Sequence, residues 1–208
     1  MEWQRTLFLE LLQELRREEE NTVQARQFSG EALEQADLES MEFENVTWTG
    51  CRFAGCDFVR AGFYQTRFRD CLFTDCHFRG SYWQDSGMAG CKAEGCDFPE
   101  SRLKGCTFTD TSLRYANFTR SLWEKTALRR CDLREAVLSG MRLSKVVLEH
   151  VELGGAELFR TSLAGVDLST CGIGGIVVSE GCGELRGAKI RAEQAAEAAH
   201  LLGMDIVF

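Results

Sequence analysis

The chain has 208 residues, of which 44% are hydrophobic and 27% charged, and its formal net charge is -8. This composition is typical of a globular protein of one large or two small domains. The negative charge argues against a direct nucleic-acid binder, because neutralising phosphates needs a basic surface, and no apolar run approaches the roughly 18 to 20 residues of a membrane span.

Residues 1–25 predict a helical cap. Their apolar side chains follow helical spacing, and "RREEEN" ends the helix. The helix either covers the first apolar layer of the next segment or docks a partner. Because Glu10 interrupts a short apolar stretch, the segment does not predict a signal peptide, and we expect a cytoplasmic protein. The apolar residues are Trp3, Leu7, Phe8, Leu11, Leu12 and Leu15.

From residue 26 to about 178 the sequence repeats every five residues. Stepping by five from Phe28 to Val178, all 31 positions carry Phe, Leu, Trp, Met, Ile or Val, except Ala93. Two residues before this central position stands Cys, Ala, Ser, Thr or Val in 26 of the 31 repeats. Neither a helix nor a strand has this period. It predicts a solenoid that turns one large and one small side chain inward per repeat, with coils stacked through β-type hydrogen bonds.

Glycine gathers two residues after the central position. A chain that turns a corner every five residues needs a positive φ there, which glycine adopts at little cost. The glycines at this position are Gly30, Gly50, Gly55, Gly80, Gly90, Gly95, Gly105, Gly140, Gly155, Gly165 and Gly175.

Nine of the ten cysteines occupy the small inward position, and Cys182 does not. We interpret them as small buried core residues. Stacked disulfides or a metal ladder are the alternatives. Because the sequence has only three histidines and lacks a Cys-x-x-Cys motif, we expect no metal and no cofactor. If residues 20 apart stack, two columns are Cys51, Cys71, Cys91, Cys131 and Cys171, and Cys56, Cys76 and Cys96.

The motif small–(Asp/Asn)–(Leu/Phe)–x–x recurs as "CDF" at 56–58 and 96–98, "ANF" at 116–118, "CDL" at 131–133 and "VDL" at 166–168. It resembles the signature of pentapeptide repeat proteins. The resemblance implies an all-β solenoid, a right-handed quadrilateral β-helix with four repeats per coil and short terminal helices. We assign residues 26–180 to this β-helix.

Residues 181–208 predict a C-terminal cap. The register slips by two after Val178, "RAEQAAEAAHLLG" predicts a helix of about ten residues ending at Gly203, and "MDIVF" predicts a strand. The tail resembles that of Qnr-type and mycobacterial quinolone-resistance pentapeptide proteins at Leu185, Gly187, Ile190, Gln194, Ala195, Leu202, Gly203, Met204 and Ile206. This resemblance implies a homodimer through Leu201, Leu202, Met204, Ile206 and Phe208.

The sequence contains no catalytic constellation: it has no phosphate loop, no GxSxG and no paired histidines. We therefore predict that the protein is not an enzyme. An outward column of acids is expected to cap turns and aid solubility. The column contains Asp37, Asp57, Asp97 and Glu157, beside His77 and Asn117.

The resemblance also implies a function. The best-understood pentapeptide repeat proteins resemble a B-DNA duplex in size, shape and negative charge. They occupy the DNA-binding saddle of DNA gyrase or topoisomerase IV, and either inhibit the enzyme or protect it from quinolones or toxins. In this chain the acids nearest the predicted dimer centre are the candidate partner-binding surface: Glu152, Glu157, Asp167, Glu180 and Glu184.

The charge distribution leaves a second function open. Residues 1–80 carry a net charge of -6, residues 81–150 of +2 and residues 151–208 of -4. The basic middle and the absence of projecting loops depart from Qnr-type protectors. The alternative is a non-catalytic scaffold or adaptor rod that holds a partner through its N-terminal helix or its basic middle. The basic residues are Arg114, Arg120, Lys125, Arg129, Arg130, Arg134, Arg142 and Lys145.

Overall fold

Each five-residue repeat forms one short side of a four-sided parallel β-solenoid. The structure is a computed structural model that describes residues 7–204 and Val207. A side has three extended residues, and the central one points inward while its neighbours point outward. Four sides complete a coil of 20 residues, so that Phe43 pairs with Phe63 and Trp83 with Leu103. The predicted quadrilateral β-helix is confirmed.

The four sides, here called faces 1 to 4, differ in the extent of their strands. Face 1 consists of Thr22–Gln24, Glu42–Glu44, Gly62–Tyr64, Tyr82–Gln84, Arg102–Lys104, Leu122–Glu124 and Arg142–Ser144. Face 2 consists of Gln27–Ser29, Thr47–Thr49, Arg67–Arg69, Gly87–Ala89, Thr107–Thr109, Ala127–Arg129 and Val147–Glu149. Face 3 has Ala32–Glu34, Arg52–Ala54 and Leu72–Thr74 and continues as single bridges to Gly172. Face 4 is a column of single bridges from Asp37 to Val177.

The interior of the first coils is a set of stacked rings. Phe58, Phe78, Phe98 and Phe118 form one column with centroids 4.5 to 4.8 Å apart and near-parallel planes. A 20-residue register with parallel strands brings identical side chains directly above one another, so that flat rings stack. Every central side chain from Val23 to Leu138 is buried.

The corner residue two positions after the centre has a positive φ in 29 consecutive repeats, from Ala25 to Gly165. The glycines at this position fit the prediction, but 19 of the 29 residues are not glycine. At most of these corners the backbone N–H donates to a carbonyl of the next coil, as Gln65 does to that of Gln84 at 2.9 Å. The inter-coil bonds therefore hold left-handed conformations that L-residues adopt at a cost of roughly 1 to 2 kcal/mol.

A helix covers the N-terminal end of the core. Helix α1, Leu7–Arg17, buries Phe8, Leu12 and Leu15. The ring of Phe8 lies edge-on to Phe28 and Trp48, with centroids 5.2 and 4.9 Å apart. The described part of the helix therefore lies over the first apolar layer of the core, and Trp3 lies outside the described residues. The first strand starts at 22, one repeat before the predicted boundary at 26.

The C-terminal end is closed by short helical segments: the 3-10 turns Gly183–Leu185 and Ala192–Gln194, and helix α2, Ala195–Leu201. The predicted slip of register is confirmed, because Asp167 pairs with Lys189, 22 residues on. Gly203, with φ of 74°, ends α2 in a Schellman motif in which the N–H of Met204 donates to the carbonyl of Ala199. In the described part of the chain, no helix is long and apolar enough to cross a membrane.

Candidate partner-binding surface

The inward cysteines are packing residues of the core. All ten are buried and free, and burial raises the pKa of the Cys106 thiol to about 11. Among residues 7–204, no group of three or more His, Cys, Asp and Glu side chains is arranged to hold a metal.

The acids predicted to contact a partner lie on different faces of the rod. Glu152 is on face 3, Glu157 on face 4 and Asp167 in the column that continues face 2, and all three are exposed. Glu180 is exposed at the corner between face 4 and face 1. The four carboxylates surround the C-terminal end of the rod instead of forming one strip.

Glu184 is a correction to the predicted acidic surface. Its side chain is buried and accepts hydrogen bonds from Ser179 Oγ at 2.6 Å and from the backbone N–H groups of Ser179 and Arg160. The hydrogen bond from Ser179 is the main cause that lowers the pKa of Glu184 to about 2. This carboxylate ties the end of the solenoid to its cap and is not available to a partner. The sequence predicts the slip in register here, but not that the cap buries this side chain.

Several Asp and Asn residues of the repeat cap their own corners as predicted, but Asp97 cannot, because Pro99 has no N–H. Asp57 Oδ1 accepts the N–H of Val59 at 2.9 Å, and Asn117 Oδ1 accepts that of Thr119 at 3.0 Å. Asp167 accepts the N–H of Ser169 in the same way. The Ser169 hydroxyl, and after it this N–H, lowers the pKa of the Asp167 carboxyl group. The capping leaves the second carboxylate oxygen of Asp57 and Asp167 available.

Face 4 carries an acidic groove in its N-terminal half. His77 Nδ1 lies 3.5 Å from Asp97 Oδ2, and Asn117 Nδ2 donates to Asp97 Oδ1 at 3.2 Å. With Asp57 and Arg79 these residues line a shallow groove of about 300 Å³. The candidate set concentrated on the C-terminal acids and missed this groove. Its signal was the 20-residue spacing of Asp57, His77 and Asp97.

Five of the eight basic residues named above for the basic middle form ion pairs, four of them with an acid in a neighbouring coil. Arg130 forms a bidentate pair with Asp110 at 2.6 and 2.8 Å, which lowers the pKa of that carboxyl. The other pairs are Arg129–Glu149, Arg134–Asp132, Arg120–Glu100 and Arg114–Asp132. Among the described residues, no ion pair involves Lys125, Arg142 or Lys145.

The C-terminal cap exposes apolar side chains. Leu201 packs partly against the core, whereas Leu202 and Met204 are 53% and 55% exposed. Beside them lies an apolar groove of about 290 Å³, lined in part by Leu185 and Ile190. The predicted dimer contacts Ile206 and Phe208, and most of the predicted final strand, lie outside the described residues.

Comparison with solved structures found similarity to two trypsin-treated variants of QnrB1, a plasmid-mediated fluoroquinolone resistance protein. The first is 20% identical, with 90% of this chain and all of that chain covered and a TM-score of 0.54. The second is 19% identical, with 90% and 99% covered and a TM-score of 0.50. At this identity the similarity establishes a shared fold. The comparison with curated proteins found no match.

Two family profiles match the chain. "Pentapeptide repeats (9 copies)" matches residues 63–117, and "Pentapeptide repeats (8 copies)" matches residues 36–75 and 111–149. Together they span residues 36–149 without a gap, which is more than half of the chain. With the five-residue sides, the inward small and large positions and the four-sided coils, this shows that the chain belongs to the pentapeptide repeat family.

Proposed function

We propose that the protein is a non-catalytic, cytoplasmic DNA mimic. Its target is a type II topoisomerase, DNA gyrase or topoisomerase IV, which it inhibits or protects from quinolones or toxins. The observation that carries the proposal is the regular rod with carboxylates at the 20-residue step, such as Asp37 and Asp57 on face 4. The fold shared with QnrB1, which is described as a fluoroquinolone resistance protein, supports it.

Electrostatics gives the binding mechanism. A basic saddle that holds DNA attracts a rod of net charge -8, and such attraction mainly accelerates association and weakens as salt rises. Glu152, Glu157, Asp167 and Glu180 supply the negative charge near the C-terminus. No direct contact with nucleic acid is part of the mechanism.

The proposal includes a homodimer through the C-terminal cap. Exposed Leu202 and Met204, next to Ile190, form an apolar surface that a second copy would cover. Two rods joined end to end would double the length of the acidic surface. Leu202→Glu is expected to convert a dimer to a monomer in light scattering after size-exclusion chromatography.

The test is DNA supercoiling by purified gyrase, titrated with the protein in the presence and absence of a fluoroquinolone. We expect inhibition or relief from the drug, and at least about a tenfold weaker effect for Glu152→Lys/Glu157→Lys, because close charges dominate such encounters. Glu34→Lys/Asp75→Lys makes the same change in net charge on exposed acids far from the C-terminus. Equal effects of the two double variants, or no effect of the wild-type protein on either reaction, would refute the proposal.

A further inference from the structure

The β-ladder is interrupted on two of the four faces near the C-terminal end. Up to residue 149 each coil pairs with the next; for example, the N–H of Lys125 donates to the carbonyl of Ser144 at 2.8 Å. Within the described residues, no backbone hydrogen bond joins 142–149 to 162–169, and faces 1 and 2 end there. Faces 3 and 4 continue, since Glu152 pairs with Gly172 and Glu157 with Val177. We call the interruption between 142–149 and 162–169 the slit.

The slit leaves backbone groups without protein partners. In the preceding coil the carbonyl of Thr126 accepts the N–H of Val147, but in the described chain the equivalent carbonyl of Val146 accepts none, and the N–H of Lys145 donates to none. Two threonine hydroxyls close the ends: Thr161 Oγ1 accepts the N–H of Met141 at 2.9 Å, and Thr170 Oγ1 that of His150 at 3.1 Å. An unpaired strand edge of this kind pairs readily with another strand.

Apolar side chains are uncovered in the slit. Leu143 and Val146 are partly exposed, although their counterparts one coil earlier, Trp123 and Thr126, are buried. Both Leu143 and Val146 also line a small interior cavity of about 20 Å³. Val147 is 41% exposed at the same place. The slit thus offers apolar contacts as well as backbone groups.

Cations border the slit. Lys125 and Lys145 occupy successive corners between faces 1 and 2, and Arg142 lies on face 1 beside them. None of the three forms an ion pair in the part of the chain that the structure describes. Glu124 is the one acid among the outward residues of face 1 from 102 to 145, and nearby Glu149 is held by Arg129 at 2.9 Å. The 142–145 edge of the slit is therefore positive on a protein of negative net charge, whereas the opposite edge, 162–169, carries the exposed Asp167.

We propose that the slit binds an extended acidic protein segment that carries a large apolar side chain. The backbone of the segment bonds to the N–H of Lys145 and the carbonyl of Val146, as in β-strand addition. Its carboxylates lie beside Lys125, Arg142 and Lys145. Its apolar side chain contacts Leu143 and covers the cavity beneath. Because no ladder bond crosses the slit, admitting a strand breaks the two threonine hydroxyl bonds but no backbone pair.

This site uses the cations and open backbone of 142–149, whereas the binding to a topoisomerase uses carboxylates; of those carboxylates, Asp167 lies on the opposite edge of the slit. The probe is a short fluorescein-labelled peptide in which Glu and Leu alternate, titrated with the full-length protein by fluorescence anisotropy. Lys125→Glu/Lys145→Glu is expected to weaken binding by at least about tenfold. The matched control, Arg52→Glu/Lys92→Glu, makes the same charge change on exposed face 3 residues without ion pairs and is expected to change binding less than about twofold.

Hydrogen exchange decides whether the peptide enters the slit. Bound peptide is expected to slow the exchange of amides in 143–149 and to leave those of Arg52–Ala54 unchanged. The proposal is overturned if the peptide does not bind, if both double variants lose affinity equally, or if binding gives no protection at 143–149. Binding of a short DNA duplex to the same lysines, at least as tight as that of the peptide, would also overturn it and identify phosphate as the ligand.

Discussion

The two halves of the solenoid share one backbone plan but are filled differently. From Phe28 to Trp123 the centres are mostly aromatic, and the ladders on faces 1 and 2 are continuous. From Leu128 onward the centres are Leu, Ile or Val, and the interior has a cavity and the ladder has a slit. Flat rings stacked at the coil spacing fill the interior without gaps, whereas leucines at the same spacing leave space. We therefore expect the aromatic half to be the more rigid one and the leucine half to hold the candidate partner-binding sites.

The largest expected effect comes from removing a stacked ring. Phe78 and Leu158 occupy the same column of the core, four coils apart, and both are buried. Phe78→Ala removes the ring stacked between Phe58 and Phe98 and is expected to cost about 4 kcal/mol of unfolding free energy. Leu158→Ala enlarges an existing cavity whose walls can close in, at about 2 to 3 kcal/mol. Urea denaturation measures both, and a larger loss for Leu158→Ala would contradict the assignment of rigidity.

A smaller effect is expected from the buried carboxylate at the end of the leucine half. Glu184→Gln weakens three hydrogen bonds to a charged acceptor and is expected to cost about 1 to 3 kcal/mol. Because the pKa of Glu184 is lowered from 4.5 to about 2, its stabilisation is complete above about pH 4.5 and disappears as the pH falls towards 2. Thermal unfolding between pH 7 and pH 2 checks the sign. The exposed control Glu180→Gln should differ little from wild type, and equal losses for the two variants would disprove the anchoring role.

The smallest effect concerns the corners of the aromatic half. Gln65 holds a φ of 51°, and Gln65→Gly is expected to raise the unfolding free energy by up to about 1 kcal/mol, because glycine removes the steric cost. Gly95 has a φ of 67° and open space around it, so Gly95→Ala is expected to lower stability by a similar amount. The Tm values of both variants are measured by calorimetry. Tm shifts of the same sign would show that the positive φ does not determine which residues are favoured at the corners.

The fold was predictable because one short rule is repeated along the chain. The sequence alone predicts the 31 inward positions, the corner glycines and the 22-residue step near the C-terminus. Non-glycine corners such as Tyr115 could not be predicted from residue preference, because inter-coil hydrogen bonds override it.

The candidate surface was less predictable than the fold. Burial of Glu184 depends on how the cap folds over the last coil, and pairing of Arg130 with Asp110 depends on which outward side chains meet across coils. The 20-residue spacing that predicts the columns of cysteines also predicts that Lys125 lies between Gly105 and Lys145 in one column of corners. The slit beside them could not be predicted from the sequence, because Leu143 and Val146 both fit the five-residue repeat.

The most direct test of DNA mimicry is competition for the topoisomerase saddle. Labelled duplex DNA bound to purified gyrase is titrated with the full-length protein at two salt concentrations. The account predicts that the protein displaces the DNA, and that higher salt weakens the displacement because opposite charges attract the two partners. Gyrase that keeps its DNA at saturating concentrations of the folded protein would contradict the proposed function.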